Sequence, residues 1–186
     1  LVNNAGVDLT GDLTALAADD IVRLFNLNLV APVLLSRGVI PGMRTRNRGH
    51  IANISSLSGT NAMPGVLPYS ASKSGLSHFT AGLRAELKGS AIGTTLVELG
   101  PVRGTMIDSL RAHPPTARAL ARMERLRLVV DLDMATVSEA IVRAIENDRR
   151  HLRMPKRDIA FPMIMETPRR LNEWLLTGIQ PEEEAT

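Results

Sequence analysis

Apolar and polar positions along the chain fall into two rhythms. Short apolar runs at residues 1–2, 50–54, 92–99 and 151–154 have the length of strands. Between them lie longer stretches of helical period. The first, residues 19–43, carries Ile21, Leu24, Phe25, Leu27 and Leu29, and opens on Asp19 and Asp20, whose charges suit a helix N-terminus. Pro32 sits inside it and is expected to bend it beside Asn28, because proline removes one backbone bond. A second helix is predicted over 69–87 from Leu76, Phe79, Leu83 and Leu87, with Gly89 just beyond as a cap. A third spans 134–147, with Ala140, Ile141, Ala144 and Ile145 inward, and a last one spans 168–176. Residues 41–49, with Arg44, Arg46 and Arg48, read as a basic loop. Residues 107–130 are amphipathic, Leu120, Met123, Leu126 and Leu128 facing a run of arginines. They suit a lid with a solvated face, or a helix lying on an acidic surface. The chain ends in a solvated acidic tail, 181–186, and no internal repeat is visible.

The chemistry concentrates in residues 51–73, IANISSLSGTNAMPGVLPYSASK. A strand runs into two hydroxyls, Ser55 and Ser56, a turn-rich passage follows, and Tyr69 and Lys73 then stand four apart at a helix start. Positions i and i+4 share a face, so the phenol and the ammonium can reach one cavity. The cation is expected to lower the tyrosine pKa towards working pH and make Tyr69 a general acid/base. Ser56 can hydrogen-bond the oxygen whose proton moves, whereas Ser55 should point away because strand side chains alternate.

Four pieces in order, LVNNAG at 1–6, NLVAP at 28–32, NISS at 53–56 and YSASK at 69–73, resemble the short-chain dehydrogenase/reductase family. The resemblance implies an α/β fold, the C-terminal part of a Rossmann-like doubly wound parallel sheet. It implies a nicotinamide-dependent oxidoreductase that interconverts an alcohol and a ketone or aldehyde. Asn28, Ser56, Tyr69 and Lys73 take the catalytic positions, with Asn28 linking Lys73 to a relay water. Asn4, Ala5, Gly6, Tyr69, Lys73, Gly100, Val102 and Thr105 take the cofactor positions, the cofactor being NAD or NADP. The family's Pro-Gly pair appears here as Leu99-Gly100, and Gly104 displaces the usual threonine to Thr105. The variable region about 105–132 corresponds to the substrate lid, and a homodimer or homotetramer is expected. The family's Gly-rich phosphate loop has no counterpart. The expectation is therefore a single partial domain, 1–186, of a longer enzyme, inactive as a fragment. The competing reading is a non-catalytic remnant serving as an oligomerisation module.

Composition trims the alternatives. The 186 residues suit one domain. The absence of cysteine excludes thiolate and disulfide chemistry and fits a cytoplasmic setting. Net charge is only +3, and the five aromatic rings are scattered, which argues against a nucleic-acid binder. Polar residues and prolines interrupt the apolar runs, so none reads as a membrane span, and no signal peptide is visible. The four histidines lack metal-site spacing, and there is no Gly-x-Ser-x-Gly elbow for a serine hydrolase.

Overall fold

The structure, a computed structural model, describes residues 1–60, 63–126 and 129–155. Four strands, β1 (Val2–Asn3), β2 (Gly49–Ser56), β3 (Ile92–Leu99) and β4 (His151–Met154), form one parallel sheet in that order. Strand alternation divides β2 between two faces. Ile51 joins Met43, Leu83, Leu87 and Ile92 in a core beneath helices α2 (Ala31–Thr45) and α3 (Leu67–Glu86). Ile54 joins Val97, Leu152 and Ala144 beneath α6 (Met134–Glu146). Helices thus cover both faces, the arrangement of a doubly wound sheet. A buried polar chain ties the layers together: Asn3 Nδ2 donates to Asn53 Oδ1 at 2.7 Å, and Asn53 Nδ2 donates to Thr80 Oγ1 at 2.8 Å.

The first predicted helix differs from expectation at both its middle and its end. Helix α1 (Ala18–Phe25) continues through a π-helical turn, Asn26–Val30, into α2. The Ala31 N–H reaches back five residues to the Asn26 carbonyl, and Pro32 has no N–H to offer the carbonyl of Asn28. The expected bend is therefore a widened turn centred on Asn28. The helix then runs through Pro41 to Thr45, where a basic loop was expected, because Val39, Ile40 and Met43 pack against Ile51 and Leu83. The whole run, 28 residues, is long and apolar enough to cross a membrane by length and composition, contrary to the sequence reading. Leu24, Asn28, Pro32, Ser36 and Met43 along it are buried against the fold.

The variable region forms two helices, α4 (Thr105–Ala112) and α5 (Pro114–Arg125), hinged at His113. Pro114 and Pro115 open α5, where a missing N–H is tolerated. Thr116 Oγ1 donates to Pro64 O at 3.1 Å, and Arg111 pairs with Glu124 and Asp131, so the two helices are fastened both to the body and to each other. The expected last helix and the acidic tail lie outside the described residues.

Candidate active site

The loops that follow β1, β2 and β3 open on one side of the sheet, at the strands' carboxyl ends, where parallel α/β sheets take their ligands. They surround a cleft of about 620 Å³ that contains Asn4, Ala5, Gly6, Ser56, Tyr69 and Lys73. The lid and the loop from Gly100 to Gly104 complete its walls.

Three consecutive residues of β2 touch the catalytic candidates. The Ile54 carbonyl accepts from Lys73 Nζ at 2.9 Å. Ser55 Oγ donates to the Lys73 carbonyl at 2.9 Å, pointing away from the cleft as strand alternation requires. Ser56 Oγ accepts from Ser58 N at 3.2 Å and Ser58 Oγ at 2.8 Å, and lies close enough to Tyr69 to act on its ionisation. Lys73 Nζ stands 5.8 Å from the centroid of the Tyr69 ring.

The ionisation of Tyr69 runs against the sequence expectation. Burial raises its pKa above the usual 10, the Ser56 hydrogen bond opposes this, and the nearby charge of Asp8 adds to the rise. The lysine yields instead, burial lowering Lys73 to about 8. A spacing of four on a helix predicts proximity but not desolvation, and here desolvation wins for both groups. Tyr69 is therefore held as a neutral phenol.

Asn28 is buried and its side chain is committed. Its Oδ1 accepts from Val7 N at 2.9 Å, and its Nδ2 donates to Val7 O at 2.8 Å and Ser72 Oγ at 3.2 Å. It locks the loop after β1 onto α3. Gly6 belongs to the same cluster: a Cβ there would lie 3.1 Å from Asn28 Oδ1 and 3.4 Å from Lys73 Nζ. Asn4 and Ala5 are exposed on the cleft rim. Gly100 N–H is held by Met154 O at 2.9 Å. Val102 bridges to Leu132 through the neighbouring Pro101 carbonyl and Arg103 amide rather than its own groups. Thr105 is the first residue of α4, and the placement of its side chain lies outside what the structure describes.

Sequence reasoning missed Gly59, whose added Cβ would sit 2.9 Å from the Lys73 carbonyl carbon, so glycine there lets the turn press against α3. It also missed Asp8, which receives a hydrogen bond from Ser109 on the lid. Neither has a local signal, since both depend on elements remote in sequence. Part of the apolar wall was visible as the hydrophobic side of the 107–130 region: Leu120 and Met123 pack around Tyr69 together with Ile107, Met63 and Val66.

The sequence profile of the short chain dehydrogenases matches residues 1–115. The chain belongs to that family. Among curated short-chain dehydrogenase relatives, it is 33% identical over 148 residues to a ketoacyl reductase, HetN, of Nostoc, covering 79% of this chain and 48% of HetN. It is 34% identical over 142 residues to the NADP-dependent 3-hydroxy acid dehydrogenase YdfG of Escherichia coli K12, covering 76% and 56%. The chain thus spans about half the length of the curated relatives it matches. Among solved structures, a closed form of serine dehydrogenase complexed with NADP+ superposes with a TM-score of 0.66 at 31% identity, covering 83% of this chain and 63% of the other. A short-chain dehydrogenase from Streptomyces avermitilis gives 0.73 at 26% identity, covering 94% and 67%.

The residues present fit the nicotinamide end of a dinucleotide. Gly6 leaves bare backbone beside Lys73. Ile54 O takes one of the three ammonium N–H groups, so others can reach a pair of ribose hydroxyls. Gly100 and Val102 line the same cleft as Tyr69.

Proposed function

We propose that this chain carries the catalytic and nicotinamide-facing part of an NAD- or NADP-dependent oxidoreductase that interconverts an alcohol and a ketone or aldehyde. The observation that carries the reading is the meeting of Ser56, Tyr69 and Lys73 at the carboxyl ends of parallel strands, in a cleft walled by apolar lid residues. The dinucleotide, when bound, supplies the hydride chemistry. In the reduction direction Tyr69 gives its phenolic proton to the carbonyl oxygen, and its raised pKa keeps that proton in place at neutral pH. Ser56 Oγ orients and polarises the same oxygen. Lys73 holds the ribose side, and its ammonium stabilises the phenolate left after transfer. The wall of Met63, Val66, Ile107, Leu120 and Met123 favours an apolar group on the substrate carbon.

The reading is tested with ketones and aldehydes of increasing chain length, followed by loss of nicotinamide absorbance with NADH or NADPH. Tyr69→Phe is expected to remove nearly all turnover while dinucleotide affinity stays near that of the parent. Comparable turnover in the Phe variant would falsify the assignment. Self-association belongs to the same proposal. Val22, Val30, Leu34 and Leu35 lie exposed along α1 and α2, and α3 presents small exposed residues such as Ala71, Ala81 and Ala85. This pairing of an apolar stripe with a flat helix face suits a homodimer or homotetramer.

A further inference from the structure

Glu98 is the polar group that the chemistry above does not use. It lies on β3, 2% exposed, on the sheet face covered by α3. Its Oε2 accepts from Arg153 Nε at 2.9 Å and Nη2 at 2.6 Å, and meets His151 Nε2 at 2.7 Å, both residues standing on β4. Its Oε1 accepts from Ser77 Oγ at 3.3 Å. Ser77 Oγ lies 2.8 Å from Ser55 Oγ, and Ser55 Oγ donates to the Lys73 carbonyl at 2.9 Å. Register sets this line: Ser55, Glu98 and Arg153 are successive cross-strand partners on β2, β3 and β4.

A carboxylate only accepts, whereas each hydroxyl donates once and accepts besides. An ionised Glu98 therefore draws the Ser77 proton to itself and leaves a Ser77 lone pair facing Ser55. The single Ser55 proton is then shared between that lone pair at 2.8 Å and the helix carbonyl of Lys73 at 2.9 Å, a three-centre bond that joins the carboxylate's line to the helix. Burial pushes the Glu98 pKa up, but the hydrogen bonds and charges of His151 and Arg153 outweigh it, and the net pKa is lowered. The charge that aligns the chain is thereby kept.

We propose that Glu98 is a positioning residue, acting through Ser77 and Ser55 to fix the turn of α3 that bears Lys73 against the strand that bears Ser56. The flanking Ile54 carbonyl holds the Lys73 ammonium, so one strand grips both the backbone and the side-chain end of the same lysine. Without the chain, α3 can slide or rotate on β2, and the ammonium leaves its dry seat beside Tyr69.

The inference rests on reading Tyr69 and Lys73 as the catalytic pair, but its test needs no turnover. The chain has three lysines, so NMR with isotope-labelled lysine resolves Lys73, assigned by its loss in Lys73→Arg. Its midpoint is expected near 8. In Ser55→Ala, Ser77→Ala and Glu98→Gln, water reaches the ammonium and the midpoint rises by about half to one pH unit, the worth of about one hydrogen bond. Ser77→Thr, which keeps the hydroxyl, restores it. Leu152→Ala, on the opposite face of the sheet, lowers the melting temperature but leaves the midpoint where it was. An unmoved Lys73 midpoint in folded Ser55→Ala and Ser77→Ala overturns the proposal, even if Glu98→Gln does not fold. A shifted midpoint together with no carbonyl turnover by the parent upholds the clamp and removes the oxidoreductase reading.

Discussion

Replacing Lys73 by methionine should stabilise the fold at neutral pH. Lys73 is 5% exposed, and burial brings its pKa from the ordinary 10.5 to about 8. At about 1.4 kcal/mol per pH unit, keeping the ammonium in its seat costs about 3 kcal/mol wherever it is charged in both states. Between pH 8 and 10.5 the unfolded chain binds a proton that the folded chain does not, so rising pH favours folding across that window. Below pH 8 the full cost is present, and above 10.5 it is gone. Methionine fills a similar volume and removes the titration, though the Ile54 carbonyl loses a donor, which costs about 1 kcal/mol. Lys73→Met is therefore expected to exceed the parent by about 2 kcal/mol at pH 7, and the gap should close or reverse near pH 10.5. Urea unfolding followed by circular dichroism, for parent and variant across this range, measures it. A variant less stable than the parent at neutral pH, or a gap that does not change with pH, would refute the reasoning.

Other consequences are as direct. Because Tyr69 ionises above 10, carbonyl reduction should be level through neutral pH while alcohol oxidation climbs into the alkaline range. Rates measured in both directions decide this, and an oxidation rate already level at neutral pH would contradict the raised pKa. Gly6→Ala should weaken dinucleotide binding at least about tenfold by displacing Asn28 or Lys73. Gly38→Ala, with open space at its Cβ, is the control in the same fluorescence titration. Leu34→Glu with Leu35→Glu should convert any dimer or tetramer to monomer in sedimentation, and an unchanged mass would place the interface elsewhere.

Much of this was legible in the sequence because it depends on period. The run at 92–99 is the strand Ile92–Leu99, the run at 50–54 extends to Gly49–Ser56, and Tyr69 and Lys73 share a helix face as a spacing of four requires. Ser56 was recoverable from its place at a strand end. What escaped depends on contacts between remote elements. Pro41 reads as a breaker until Met43 and Ile40 are seen held by Ile51 and Leu83. The widened turn at Asn28 arises where a missing proline N–H meets a side chain that reaches Val7. Glu98 gave no sign of its role, since Arg153 and His151 lie more than fifty residues away and come together only through strand register.

The sign of the Tyr69 shift shows where sequence reasoning stops. A lysine four residues on makes a phenolate cheaper only if that lysine is itself readily charged. Here both groups sit in the same low-dielectric cluster, and burial pushes each towards its neutral form, Tyr69 upwards and Lys73 downwards. The two values, nearly matched in water, are thereby driven apart, so the phenolic proton passes to Lys73 less readily than it would in water and stays on Tyr69. The protonation state of Tyr69 is therefore set by the dry wall around it as much as by the motif. A variant that wets that wall without adding charge, Leu120→Asn for example, should bring the Tyr69 pKa back towards its ordinary position without touching the residue itself.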